Sequence, residues 1–450
     1  MHWSETAVWW HVYPLGFVGA EPEALAPSAP SVPRIGRLAN WLDYLVDLGC
    51  NGLALGPVFA SQTHGYDTVD HLRVDSRLGD EADLVRLIEQ ASARGVRVLL
   101  DGVFNHVGRA FPAFVDVAER GSASPYASWF STEPDPDRAD PDRAEPSFRT
   151  FEGHHALVAL NHSEPAVADY VVDVMTYWLE RGISGWRLDA AYAVPQPFWR
   201  EVGRRVRDRY PQAWLVGEVI HGDYVGYVLG GGLDSVTQYE LWKAIWSSLN
   251  DRNLFELAWA MKRHNGLLEN FVPQTFLGNH DVTRLASRLT DERHLQHALV
   301  LLTTLGGVPS LYAGDEQAFR GVKEERAGGD DAVRPSFPDD PSGLSPQGWP
   351  HYRLHQALIG LRRRHPWLVR AGSTVGTLTN TALSYTVQDG AGQDGTSSRL
   401  AVALNLAEST ARLELPEGEW RVLAGAGEAR PGHVDLPAAG WAILAPAGPG

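Results

Sequence analysis

Four short apolar runs in this 450-residue chain each end in residues of the kinds that carry out catalysis. The four polar ends are Asp101-Gly-Val-Phe-Asn-His106, Gly185-Trp-Arg-Leu-Asp189, Leu215-Val-Gly-Glu218 and Phe276-Leu-Gly-Asn-His-Asp281. A single acidic residue at such a place commonly caps the next helix. Four of them along one chain instead indicate a cluster of carboxylates, with an arginine and two histidines, around one substrate.

Two kinds of hydrolysis use this set of groups. Glycoside hydrolysis needs one carboxylate as nucleophile and one carboxylic acid as proton donor. A metal hydrolase uses the same residue types as ligands, but usually with histidine pairs at close helical or strand spacing. The adjacent side chains of His154 and His155 diverge in a strand, and Arg187 lies two residues before Asp189. A cation there keeps a carboxylate ionised and repels a metal ion, so the pattern favours glycoside hydrolysis.

Strand-like apolar runs alternate with helix-like amphipathic runs over most of the chain. Eight such units can be counted, the last helix lying at about residues 351–364. Eight units predict a closed parallel TIM (β/α)8 barrel, with an open doubly wound sheet as the alternative. In such barrels the catalytic groups lie at the carboxyl ends of strands, which is where the four polar ends fall.

The alternation of strand-like and helix-like runs is interrupted once, after the third strand, and ends at about residue 372. The sequence therefore predicts three domains. Residues 109–160 contain Pro-Asp-Pro-Asp and little periodicity, so we predict a domain inserted after the third strand of a barrel formed by residues 1–108 and 161–371. Short alternating runs between Gly, Pro and polar turns predict a C-terminal antiparallel β-sandwich over residues 372–450. A stabilising role is the expectation for this domain, and carbohydrate binding is the alternative.

The composition limits the partners of the protein. It has 39 Lys+Arg against 55 Asp+Glu, a net charge of −16, which disfavours nucleic acid and anionic membranes. Cys50 is the only cysteine, so an internal disulfide is excluded. No apolar run approaches the roughly 20 residues that span a bilayer. No basic region followed by an apolar run marks a signal peptide, so we expect a cytoplasmic protein and leave its oligomeric state open.

The four polar ends resemble, in order, the four shared motifs of the α-amylase family of glycoside hydrolases. Gly65-Tyr-Asp67 after the second strand and Tyr312-Ala-Gly-Asp-Glu316 after the eighth extend the resemblance over nearly the whole chain. Each motif alone is weak, whereas six in this order with barrel spacing are specific. The resemblance implies a barrel with an inserted domain, a C-terminal β domain, and a retaining mechanism through a covalent glycosyl-enzyme.

The resemblance also implies the catalytic roles. Asp189 matches the nucleophile, Glu218 the general acid/base, and Asp281 the carboxylate that stabilises the distorted, oxocarbenium-like sugar. A retaining pair needs carboxyl groups about 5–5.5 Å apart, a separation that neighbouring strands can supply. We expect Glu218 to hold a proton near neutral pH and Arg187 to keep Asp189 ionised.

Four further residues match sugar contacts of the family. His106 and His280 resemble the pair that binds the sugar before the scissile bond, and Tyr66 resembles the ring that stacks under it. Arg284 is expected to contact a sugar in a neighbouring subsite. The alternative is that it only lies at the start of a helix and makes no sugar contact. Asp101 is expected to support the site structurally.

The resemblance implies α-1,4-linked glucose oligomers as substrates: maltooligosaccharides and cyclic or short α-glucans. Tyr192 and Ala193 stand where many family amylases carry Lys-His, so the contacts on the leaving-group side are not inherited. An α-glucosyl transferase or isomerase acting on sucrose, trehalose or a maltosyl donor is the alternative. A non-catalytic member is less expected, because all three carboxylates are present.

The calcium site usual in the family is incomplete in this sequence. Asn105 matches a ligand in the first motif, but Ala159 stands where a carboxylate commonly precedes Leu-Asn, and Ala193 replaces the residue whose carbonyl often contributes. We therefore expect no cofactor and no metal at this position. The acidic run of the inserted segment is the alternative place for calcium, although solvated loop charge is the preferred interpretation; it contains Asp135, Asp137, Asp140 and Asp142.

Overall fold

A computed structural model describes residues 2–133, 147–326, 328–389 and 398–447. Its centre is a barrel of eight parallel strands: β1 (Trp9–Val12), β2 (Gly52–Leu55), β3 (Arg97–Gly102), β4 (Gly185–Leu188), β5 (Trp214–Gly217), β6 (Ser235–Val236), β7 (Gln274–Phe276) and β8 (Val308–Tyr312). The strands neighbour one another in the order β6-β5-β4-β3-β2-β1-β8-β7. A parallel bridge between Thr237 and Gln274 joins the two ends and closes the barrel. The predicted barrel is confirmed.

Helices surround these strands and bury their outer faces. The main ones are α1 (Leu42–Leu48), α2 (Glu81–Ala93), α3 (Pro165–Glu180), α4 (Gln196–Arg209), α5 (Tyr239–Asp251), α6 (Leu254–Leu268), α7 (His294–Thr304) and α8 (Trp349–Arg364). The start of α2 shows how local sequence sets them: the Asp80 side chain accepts a hydrogen bond from the Asp83 amide. Strands that are buried on both faces have nearly continuous apolar sequences, and the barrel strands fit this pattern.

Two tryptophans fill the interior near the amino ends of the strands. The indoles of Trp9 on β1 and Trp214 on β5 stack with ring centroids 5.5 Å apart and planes 3° from parallel. Gly52 leaves room for this pair, since a Cβ there would lie 2.3 Å from the Trp9 ring. The interior is thus a packed core, and the opposite end, at the carboxyl ends of the strands, is left for polar groups.

The segment inserted after β3 packs back onto the barrel mouth. It contains the helix Pro112–Arg120 and an antiparallel sheet in which the strand His154–Ala159 pairs with His106–Gly108 and Thr150–Phe151. Glu152, at the tip between the last two strands, adopts a left-handed conformation with φ 49°. This pairing brings the tip of the inserted segment over the end of the first polar motif.

The C-terminal part is built from two antiparallel sheets, which confirms the predicted β domain. One sheet has the order β9-β10-β11-β16-β13 and the other β12-β15-β14, with strands β9 (Gly372–Leu378), β10 (Ala382–Gln388), β11 (Arg399–Asn405), β12 (Ala411–Glu414), β13 (Trp420–Gly425), β14 (Glu428–Arg430), β15 (His433–Leu436) and β16 (Trp441–Pro446). The Arg293 guanidinium at the start of α7 pairs with Glu408 at 2.6 Å and ties this domain to the barrel. Among the described residues, none of the helices combines the length and apolar character needed to cross a membrane.

Candidate active site

Arg187 on β4 connects three carboxylates at the mouth of the barrel. Its Nη1 donates to both oxygens of Asp101, each at 2.7 Å, and to Asp189 Oδ1 at 3.3 Å. Its Nη2 lies 2.7 Å from Oε1 of Glu218. All four side chains are buried, so one guanidinium gathers groups from β3, β4 and β5 in a space of low polarity.

The parallel register of β4 and β5 positions Asp189 and Glu218 side by side. Leu188 pairs with Gly217, and the two acidic residues follow directly. Neighbouring strands lie about 4.8 Å apart, close to the separation of about 5–5.5 Å that a retaining carboxylate pair uses. The arrangement therefore suits a nucleophile and a proton donor acting on one glycosidic bond.

Both oxygens of Glu218 have fixed partners besides Arg187. The Ala190 amide donates to Oε2 at 3.2 Å, and the Tyr239 hydroxyl donates to Oε1 at 3.1 Å. Ala190 holds a left-handed conformation, φ 45° and ψ 38°, immediately after Asp189. Such a conformation is uncommon for a residue with a Cβ and is found preferentially at functional sites.

Asp281, from the loop after β7, completes the cluster from the other side. His280 Nε2 lies 3.0 Å from its Oδ2, and Arg334 Nη2 lies 2.8 Å from its Oδ1. Arg334 also donates from Nε to the His280 carbonyl at 2.9 Å. The Asp281 side chain is 30% exposed, more than the other carboxylates, so it faces the open cleft.

The carboxyl groups differ in their readiness to ionise. Burial, and next the charge of Glu218, raise the pKa of Asp189 well above its ordinary value, and Arg187 opposes them only in part. Arg187 thus offsets only part of the effect of burial, and the expectation that it keeps Asp189 ionised stays a prediction. Although burial also raises the pKa of Asp281, its contact with His280, which includes a hydrogen bond, and the charge of Arg334 hold it well below the usual range. Retaining catalysis needs one carboxyl group protonated and its neighbour ionised.

The aromatic groups expected to contact sugar lie beside the carboxylates. The Tyr66 ring stacks on His280 with centroids 5.5 Å apart, and its hydroxyl hydrogen-bonds His280 Nε2 and donates to Asp101 Oδ2 at 3.1 Å. His106 is buried with Nδ1 3.0 Å from the Asn105 amide, and among the described residues its Nε2 has no partner. The structure thus brings Tyr66, His106 and His280 to the site, as the sequence predicts.

Arg284 does not line the cleft. Its side chain is fully buried, and Nη1 donates to Asp315 Oδ1 at 2.9 Å and to the Ala313 carbonyl at 3.0 Å. The residue directly precedes the short helix Leu285–Arg288. The expectation of a sugar contact is corrected, because this ion pair holds the guanidinium inside the protein, and the alternative of a helix-start arginine describes its place.

Sequence reasoning missed Arg334 and Tyr239. Arg334 lies in the irregular segment between β8 and α8, where no periodicity indicates which way a side chain points. Tyr239 is the first residue of α5, and the short strand β6 ends three residues before it. The position of Tyr239 near a strand end was the available signal, whereas Arg334 is revealed only by its contacts with Asp281 and Asp330.

Comparison with known proteins agrees with this geometry. The family model described as alpha amylase, catalytic domain, matches residues 35–350. A cyclomaltodextrinase of Geobacillus thermopakistaniensis is 31% identical over 453 residues, covering 95% of this chain and 74% of that protein. A maltogenic α-amylase of Bacillus acidopullulyticus is 31% identical, covering 82% and 64%, and an intracellular maltogenic amylase of Bacillus subtilis is 30% identical, covering 72% and 57%. The chain thus spans only part of the length of these relatives.

Two solved structures share the fold of this chain over nearly its whole length. The cyclic α-maltosyl-(1→6)-maltose hydrolase of Arthrobacter globiformis superimposes with a TM-score of 0.81 at 26% identity, covering 99% of both chains. The debranching enzyme of Nostoc punctiforme also superimposes with a TM-score of 0.81 at 26% identity, covering 98% of both chains. With more than half of its length matched by the catalytic-domain model and its carboxylates assembled on β4, β5 and β7, the chain belongs to the α-amylase family of glycoside hydrolases.

Proposed function

We propose that the protein is a retaining α-glucoside hydrolase that cleaves α-1,4-linked glucose oligomers, linear or cyclic, through a covalent glycosyl-enzyme. The observation that carries the proposal is the side-by-side placement of Asp189 and Glu218 around Arg187, with the ionised Asp281 facing them. The names of the relatives, cyclomaltodextrinase and maltogenic amylase, support this substrate class.

In the first step Asp189 attacks the anomeric carbon while Glu218 donates its proton to the leaving-group oxygen. The glycosidic bond breaks as an ester bond to Asp189 forms. The fixed negative charge of Asp281 stabilises the positive charge that develops on the sugar ring. In the second step Glu218 takes a proton from water, the water oxygen attacks the anomeric carbon, and Asp189 leaves as a carboxylate.

The stereochemistry of the first product tests this mechanism. Two displacements at one carbon return the original configuration, so the sugar released from maltotetraose is expected to be the α-anomer. Proton NMR within the first minutes, before mutarotation, measures it. An initial β-product would overturn the retaining mechanism and with it the role of Asp189.

The alternative of a glucosyl transferase or isomerase differs only in what attacks the glycosyl-enzyme. A sugar hydroxyl then takes the place of water, with the same carboxylates in the same roles. Product analysis with maltotetraose, maltose, sucrose and trehalose separates the two. Rearranged or lengthened sugars as the main products, without free glucose or maltose, would favour the transferase.

We propose that activity does not need calcium at the position usual in the family. Ala159 lies in a strand paired with His106, so no carboxylate stands there, and the Asn105 side-chain amide is engaged by His106. Among the described residues, no group of three or more His, Cys, Asp or Glu is placed to hold a metal ion. The acidic run Asp135, Asp137, Asp140 and Asp142 lies outside the described residues.

Calcium takes about 6–8 oxygen ligands, and loss of a carboxylate removes both a ligand and a compensating charge. Dialysis against EDTA is therefore expected to leave both the rate on maltotetraose and the melting temperature unchanged. The control is the same sample returned to buffer with calcium. A large loss of either quantity, restored by calcium and not by magnesium, would contradict the proposal.

We further propose that the protein acts in the cytoplasm on soluble oligosaccharides. The relative from Bacillus subtilis that is named intracellular supports this location. Fractionation of producing cells tests it, since recovery of the protein mainly from the medium would contradict it.

A further inference from the structure

A groove lies between α5 and α6 on the outer surface of the barrel. Its volume is about 460 Å³, within the range of about 300–1,000 Å³ that small-ligand clefts occupy. Its main lining residues are Glu240, Lys243 and Ala244 from α5 with Glu256, Trp259 and Arg263 from α6. The three catalytic carboxylates lie elsewhere, at the barrel mouth, so the groove is a separate feature of the surface.

Trp259 provides an aromatic platform in this groove. Its side chain is 58% exposed, although an indole in water leaves a large apolar surface unburied. Lys262 and Arg263 lie 5.6 Å and 5.8 Å from its ring centroid and hold the orientation of the ring. Ala244 and Ala260, which also line the groove, carry only a methyl group each and leave room beside the indole. The ring of Trp259 is therefore accessible to a ligand.

Two ion pairs between the helices flank this platform. Lys243 Nζ lies 2.6 Å from Glu256 Oε1, and Arg263 Nε donates to Glu240 Oε2 at 3.1 Å. Glu256 precedes Trp259 by three residues and Arg263 follows it by four, so the pairs lie about one helical turn to either side. All four charged side chains are between 29% and 55% exposed. The groove therefore offers hydrogen-bonding groups without a net charge.

An uncharged ring with many hydroxyls matches this arrangement. A pyranose has an apolar face that suits an indole, and hydroxyls at its edge that suit the charged groups on either side. An ionic ligand would meet no opposite net charge here. An apolar protein surface would remove both ion pairs from water, which costs free energy. The groove therefore favours a carbohydrate over an ion or a second protein.

We propose that the groove around Trp259 is a second carbohydrate site, which binds an α-1,4-glucan chain away from the scissile bond. The identity of the sugar rests on the proposed function. Tyr239 lies next to both places, since it lines the groove and its hydroxyl donates to Glu218. A chain held in the groove stays close to the barrel mouth, so its local concentration at the active site rises.

The test measures binding of maltoheptaose by isothermal titration calorimetry to Asp189→Asn, which is expected not to consume the sugar. We expect two binding sites per chain in Asp189→Asn. One site should remain when Trp259→Ala is added, because loss of the indole weakens binding in the groove at least about tenfold. Trp259→Phe keeps a ring and should retain the second site.

Kinetics provide a second readout of the same site. A long soluble amylose can occupy the groove and the active site together, whereas maltotetraose is short. We expect the ratio of kcat/KM on amylose to kcat/KM on maltotetraose to fall about 3- to 10-fold in Trp259→Ala. Trp259→Phe should recover most of this loss.

Phe255→Ala is the matched control, because Phe255 is 50% exposed on the same helix and, in the described structure, lies outside the groove. It should keep both binding sites and the wild-type ratio. Two sites persisting with Trp259→Ala, or a single site already in Asp189→Asn, would overturn the inference while the proposed function stands. So would a dimer that Trp259→Ala converts to a monomer, since a second copy then covers the groove. A wild-type protein inactive on maltotetraose would instead refute the proposed function.

Discussion

Asp189→Asn is expected to abolish turnover of maltotetraose while the protein stays folded. An amide cannot form the glycosyl ester, so covalent catalysis is lost and the rate should fall by at least about 10⁴-fold. The fold should survive because Asp189 accepts the longest of the bonds from Arg187, at 3.3 Å, whereas Asp101 keeps both of its own at 2.7 Å. Initial rates and the melting temperature measure the two effects.

A surface carboxylate provides the control for this variant. Asp208 on α4 is 63% exposed and, within the described part of the chain, pairs only with Arg204 on the same helix, so Asp208→Asn should keep full activity. Near-wild-type turnover by Asp189→Asn, purified free of host glucosidases, would contradict the assignment of the nucleophile. Loss of activity with a large fall in melting temperature would also contradict it, because a structural role would then explain the loss.

Glu218→Gln is expected to show a loss that depends on the leaving group. A sugar must be protonated as it departs, so the rate on maltotetraose should fall by about 10²–10⁴-fold. Fluoride needs little protonation, so the first step on α-maltosyl fluoride should fall far less, and the glycosyl-enzyme should accumulate as a burst.

Azide provides the check on this role. It attacks the glycosyl-enzyme without a general base, so it should accelerate turnover of α-maltosyl fluoride by Glu218→Gln and give an α-glycosyl azide. Equal first-step losses on the two substrates would contradict the proton-donor role of Glu218. So would a failure of azide to react with a glycosyl-enzyme that is seen to accumulate.

The position of Asp189 and Glu218 at the barrel mouth could be predicted because each residue directly follows an apolar strand, whereas the roles expected for them come from the resemblance to the α-amylase family. In a parallel barrel all strands end on one face, so position in sequence alone indicates the face on which such a residue lies. The confirmed barrel and C-terminal β domain follow from the same kind of local signal, hydrophobic periodicity. Local signals also misplace boundaries: an apolar run over residues 8–17 predicts one strand, yet the strand is Trp9–Val12, because Pro14 starts a short helix.

The positions of side chains outside the regular helices and strands depend on tertiary structure. The sequence offered Arg284 as the arginine near Asp281, since it lies three residues away. The fold instead turns Arg284 inward to Asp315 and brings Arg334 to Asp281 from 53 residues further along the chain. The path of an irregular segment depends on contacts with the rest of the fold, which no local pattern records.

Periodicity and the residue after each strand are enough to predict the main strands and helices, their order, and the carboxylates at the barrel mouth. How those carboxylates influence one another depends on how the elements pack. The raised pKa of Asp189 depends on burial and on the distance to Glu218, and the contact between Tyr192 and Glu152 joins residues 40 positions apart. Electrostatic interaction falls off with distance through space, so it follows the packing of the elements and not their order along the chain.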